Sequence, residues 1–107
     1  MGKVDMLFPQ QGILHDVAAE AVRLGVESIE VEYKDGYEEV FALRGGMAVG
    51  IARFPSSGRG AGVLRQELYA LAKKKQRVVI GDAAYELRAR KYESFGEDVL
   101  RVALLRI

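Results

Sequence analysis

Between Ala18 and Gly36 the hydrophobic period of this chain switches from about 3.6 residues to 2, and no other stretch constrains the fold as strongly. Leu14, Val17, Ala18, Ala21 and Leu24 recur at helical spacing, with Asp16, Glu20 and Arg23 on the other side. They predict a helix from about Ile13 to Leu24, and Gly25 suits its C-terminal cap. Ile29, Val31 and Tyr33 then alternate with Ser28, Glu30 and Glu32, the pattern of a half-buried strand. An apolar helix stripe and a one-sided strand each need a covering layer, so helix-on-sheet packing is the expected outcome.

The rest of the chain continues this logic. Lys34-Asp35-Gly36 reads as a hairpin turn, because Asp-Gly supplies the positive φ values that such turns need. A second strand is expected over Glu38–Arg44 and a third over Met47–Phe54, joined at Gly45-Gly46, with Val49 and Ile51 on one face. Residues 55–62 read as a flexible loop. A second helix is predicted over Val63–Lys74, with Leu64, Leu68, Leu71 and Ala72 as its stripe. Strands follow at Arg77–Ile80, Ala84–Lys91 and Val99–Arg106, separated by turns at Gly81-Asp82 and at Ser94–Glu97. The last of them is rich enough in Val, Leu and Ala to be a central strand. The expected fold class is α+β: one domain of order αβββαβββ over residues 13–107, two helices packed on an antiparallel sheet, after an irregular lead-in over residues 1–12.

Composition bounds the function. The chain has 107 residues, half of them hydrophobic, which suits a single small domain. Sixteen basic residues against 15 acidic ones leave a net charge of +1, which argues against a nucleic-acid partner. With no cysteine there is no disulfide, thiol nucleophile or thiolate metal site. The N-terminal segment shows no signal-peptide pattern, and no apolar run approaches the ~20 residues of a membrane span. A cytoplasmic location is the expectation.

Two segments carry most of a family resemblance. One is Glu20-Ala-Val-Arg-Leu-Gly25 followed by Val26-Glu-Ser-Ile-Glu-Val-Glu32; the other is Gly81-Asp-Ala-Ala-Tyr-Glu-Leu-Arg88 with Phe95-Gly-Glu-Asp-Val-Leu-Arg101. In pattern and order the chain resembles the accessory N-terminal domain that precedes the ATPase core of type II secretion and type IV pilus assembly motors. The resemblance runs from Ile13 onward. It implies a non-catalytic protein-interaction or assembly module whose partner is a secretion or pilus component or a second copy. The departures are specific. The two hairpin arginines that reach nucleotide phosphates in the family fall here on Phe41 and Leu43, its aspartate on Gly45 and its first-strand histidine on Val31, while Arg44 is one position off register. No G-x-x-x-x-G-K-[ST] motif occurs, so the phosphate-cradling loop of a motor is missing.

The candidate sites each have a bland alternative. Ser57, Gly58, Arg59 and Gly60, with Arg53 nearby, form a glycine-rich approach to a helix N-terminus that suits an anion. They would serve a small-ligand or nucleotide sensor, and a loop whose glycines merely let the chain turn is the favoured alternative. Arg88 and Arg90 share a strand face with Glu86 and are the candidate partner-binding pair, with simple cross-strand ion pairing as the alternative. Glu30 and Glu32 are read as the solvent side of a strand, Lys73–Lys75 as a solvated helix end, and His15 as a surface histidine. No nucleophile, base and orienting group come together in the pattern, so no enzyme, metal or cofactor is expected.

Overall fold

The structure, a computed structural model, describes residues 12–107; of the predicted lead-in over residues 1–12, all but Gly12 lies outside the described residues. Among the described residues the two helices are α1, Ile13–Arg23, and α2, Arg59–Lys73. The six strands are β1, Ser28–Lys34; β2, Tyr37–Arg44; β3, Met47–Pro55; β4, Gln76–Ile80; β5, Ala83–Ser94; and β6, Glu97–Arg106. The element order of the described residues is therefore αβββαβββ, in one six-stranded sheet in which every paired strand is antiparallel.

Tight turns determine which strands are neighbours. Asp35 and Gly36 both have positive φ, as do Gly45 and Gly46, so two of the β-hairpins close with the turn that matches strand twist. The β5–β6 hairpin uses Phe95 and Gly96 in the same way. The sheet order is β3-β2-β1-β6-β5-β4. Each half of the chain contributes three strands, and the halves join where β1 pairs with β6, Glu30 lying opposite Arg101 and Ile29 opposite Val102.

Both helices pack on the same side. Leu14, Val17, Ala18 and Ala21 of α1 and Leu64, Leu68 and Leu71 of α2 meet Ile29, Val31, Val40, Leu87, Val102 and Leu104 from alternate strand positions. Burial of a Leu, Ile or Val side chain is worth about 1.5–3 kcal/mol, so this single layer dominates stability. The C-terminus of α1 follows from Gly25, whose positive φ lets its own N–H reach the Val22 carbonyl and that of Val26 reach Ala21.

Four sequence expectations need correction. First, α2 begins at Arg59, not Val63, so Arg59–Gly62 is helix rather than loop. Ala61 is fully buried and the Phe54 ring lies against Gly60, so packing overrides the poor helix propensity of glycine. Second, Leu24 and Ala72 are exposed, because each sits at a helix end beyond the sheet contact. Third, Tyr33 shares the core-facing side of β1 but is 52% exposed, past the reach of the helices. Fourth, the β2–β3 register shifts at Val40/Phe41, and Ile51 is the extra residue. Val49, opposite the buried Ala42, and Ile51, packed against the core, still share the helix side as expected, but Val49 is exposed.

Candidate functional site

The second face of the sheet carries neither described helix, and is helix-free in that sense among the described residues. Strand alternation places on it Tyr37, Glu39, Phe41 and Leu43 of β2, Glu30 and Glu32 of β1, Val99, Arg101 and Ala103 of β6, and Glu86, Arg88, Arg90 and Tyr92 of β5. Val99 is buried there, outside the core cluster, and Phe41, Leu43 and Ala103 are half-buried. The face therefore has apolar ground under its charges.

A three-residue network occupies its middle. Tyr92 donates its hydroxyl proton to Glu30, and Arg101 donates to the same carboxylate through Nε at 3.0 Å and through Nη2. Arg101 also lies over the Tyr92 ring, 5.3 Å from its centroid. Three adjacent strands supply one residue each, so the network staples β1, β6 and β5 together. Burial alone would raise the Glu30 carboxyl, but the Tyr92 hydroxyl and the Arg101 guanidinium outweigh it and hold the group below its ordinary 4.5. The bond to Glu30, then burial, pushes the Tyr92 phenol above its ordinary 10.0. Hydrogen bonding to Glu30 likewise raises Arg101, which stays a cation. Sequence reasoning placed Glu30 on the solvent side of its strand. It missed the network because β1 and β6 are far apart in the chain.

Arg88 and Arg90 lie beside this network, on the face and in the company expected of them. Arg88 bonds Glu86 through Nε at 2.6 Å. Arg90 stands directly opposite Arg101 across β5 and β6. The described ion pairs engage Arg88 and Arg101 but not Arg90. Arg88, Arg90, Tyr92, Arg101 and Ala103 line a shallow depression of about 600 Å³. A second depression, of about 640 Å³, opens on the other side of Arg101 and is floored by Ser28, Glu30 and Leu43. A guanidinium-lined hollow over apolar ground can accept carboxylates in paired hydrogen bonds.

The predicted anion candidates are not assembled into one site. Gly58 is the N-cap of α2, and Arg59 and Gly60 are its first helical residues, on the helix side of the sheet. Gly60 is a glycine for packing: a Cβ there would come within 3.1 Å of the Phe54 ring. Ser57 is exposed, while its neighbour Ser56 donates to Glu38 at 2.7 Å. Arg53 points to the helix-free face, where its guanidinium stacks over Tyr37 at 3.8 Å. Arg53 and Arg59 therefore serve opposite sides of the sheet.

Two carboxylates on the helix side escaped sequence reasoning and are structural. Glu38 is 8% exposed and takes the Ser56 hydroxyl and Arg65, whose Nη1 lies 3.4 Å away. Glu67 of α2 accepts the Leu14 backbone N–H at 2.9 Å, satisfying one of the open donors at the start of α1. His15 contacts the Val79 carbonyl through Nε2 at 2.9 Å and so covers part of the outer edge of β4. Among the described residues, no three His, Asp or Glu side chains converge as a metal site would need, and no helix is long and apolar enough to cross a membrane.

Comparison with protein-family models returns no match for this chain. Comparison with curated proteins returns none either.

Proposed function

We propose that this chain is a non-catalytic protein-interaction module that docks through the helix-free face of its sheet. One observation carries the reading. That face combines half-buried apolar residues with a guanidinium, Arg90, that the described ion pairs leave without a carboxylate. Interface centres are enriched in arginine and aromatic residues over an apolar floor, which is the chemistry of Arg88, Arg90, Arg101, Tyr92 and Ala103. The resemblance to the accessory domain of secretion and pilus ATPases supports the same reading and suggests a component of such an assembly as one partner. A nucleotide sensor is less well supported, because Arg53 and Arg59 serve opposite sides of the sheet.

The test is a tagged pull-down from a native lysate, with captured proteins and small molecules identified by mass spectrometry. The wild type is compared with an Arg88→Glu, Arg90→Glu double variant. A discrete protein captured by the wild type and lost from the variant is the expected result. Equal capture by both would move the interaction off this face. Recovery of a nucleotide with no protein would overturn the reading.

A further inference from the structure

The helix-free face carries two like-charge pairs, each directly opposed across neighbouring strands. Glu32 faces Glu39 between β1 and β2, and Arg90 faces Arg101 between β6 and β5. Like charges placed opposite each other destabilise a sheet. Compensation within the chain is partial. Glu30 neutralises Arg101 alone. Arg53 is the register partner of Glu39 but stacks over Tyr37 instead, and none of the described ion pairs includes Glu32, Glu39 or Arg90.

The two pairs are placed symmetrically. The sheet order puts β2 and β1 on one side of the β1–β6 seam and β6 and β5 on the other, with one further strand outside each. At about 4.8 Å per strand, each pair is centred about 5 Å from that seam, on opposite sides. Their heights along the strands are close, since Glu32 is level with Val99 and Arg101 is two residues further on. That offset is roughly 7 Å, within the combined reach of an arginine and a glutamate side chain.

We propose that the partner of this face is a second copy of the chain, packed sheet to sheet about a two-fold axis that runs along the β1–β6 seam. This inference rests on the face being the docking surface and names its occupant. Such an axis exchanges left and right, so Arg90 and Arg101 of one protomer meet the partner's Glu32 and Glu39, and the same contact forms a second time. An isologous interface must be self-complementary, and a face with Glu32 and Glu39 on one side of the seam and Arg90 and Arg101 on the other meets that requirement at its centre. Aligned sheets pack about 10 Å apart, a gap that paired Arg and Glu side chains fill. Six strands of ordinary length offer roughly 600 Å² per copy, so the pair buries roughly 1,200 Å², at the lower end of the range for specific interfaces. With charge at its centre, the dimer is salt-sensitive.

Sedimentation velocity tests this on purified chain at low ionic strength. Three proteins are compared: the wild type, an Arg90→Glu variant, and a Glu32→Arg, Glu39→Arg variant, each checked for native circular dichroism. The wild type is expected to dimerise, with at least a tenfold weakening when salt is raised from about 50 to about 500 mM. Each variant alone is expected to lose at least tenfold in dimer affinity, since positions 32, 39 and 90, which the described ion pairs leave out, then all carry the same sign of charge. An equimolar mixture of the two variants is expected to restore a dimer, because position 90 of each copy then meets positions 32 and 39 of opposite sign in both contacts, while Arg101 stays paired with Glu30. A wild type that stays monomeric at about 300 µM would overturn the proposal. So would a dimer that both variants leave unchanged, or a mixture that fails to re-form one. A monomeric wild type whose capture of a different protein still depends on Arg88 and Arg90 would overturn the second copy alone and leave the docking reading standing.

Discussion

At the scale of single residues, two side chains sit in environments that have a measurable cost or gain. Phe95 occupies the tip of the β5–β6 hairpin with a φ of 51° and a fully exposed ring. A bulky residue in the left-handed region costs roughly 1–2 kcal/mol, and here no burial offsets it. Replacing it with Asn, which tolerates that conformation, is expected to stabilise the chain by about 0.5–1 kcal/mol in urea unfolding. An unchanged or lowered midpoint would show that the turn is not strained. Glu30 provides the pH test. Its folded carboxyl is depressed below 4.5, so its contribution to stability is present above that pH and fades as pH falls through the folded value. Wild-type stability should therefore drop faster than that of Glu30→Gln on titration from about pH 5 downward. Parallel curves would show that the network with Tyr92 and Arg101 has no linkage to folding.

At the scale of elements, α2 shows how packing sets a boundary that propensity obscures. Gly60 and Gly62 lie in the same first turns of the helix, yet their surroundings differ. A Cβ at Gly62 meets nothing within 4 Å, whereas one at Gly60 meets the Phe54 ring at 3.1 Å. Gly62→Ala is expected to gain the full helix-propensity benefit, about 0.5–1 kcal/mol in thermal or urea unfolding. Gly60→Ala should gain less than Gly62→Ala or lose stability, because the ring must move. Equal gains at both positions would mean that Phe54 does not hold the start of α2. The opening of the helix was hidden in the sequence for the same reason: Ser-Gly-Arg-Gly-Ala-Gly reads as a loop until Phe54 and the buried Ala61 are seen to hold it.

At the scale of the whole molecule, the β1–β6 pairing is what makes one sheet of two three-stranded halves. It joins residues 28–32 to residues 99–103. The core beneath it draws on both halves at once, from Ile29 and Val40 to Leu87 and Val102. Neither half can bury its strands alone, and three strands without a completed core are marginal in water. A fragment ending at residue 57 is expected to show no cooperative unfolding transition, while the full chain shows one. A cooperative transition in the fragment would mean that α1 suffices to cover β1–β3.

The sequence alone determined the fold class, the element order and the hairpin connectivity, since each depends on local signals: the apolar period, the glycines at turns and the caps. Alternation also assigned Arg88 and Arg90, and Glu30 and Glu32, to shared faces correctly. The tertiary structure decided what those faces meet. Opposing Arg90 to Arg101 and sending Arg53 to the side away from Arg59 depend on register within hairpins, and linking Glu30 to Tyr92 and Arg101 depends on register between β1 and β6, which the chain brings together late. Register is a property of pairs, and a one-residue slip or bulge such as Ile51 moves side chains to the other face. Periodicity within one strand therefore cannot specify it, and the candidate surface exists only once β1 and β6 have met.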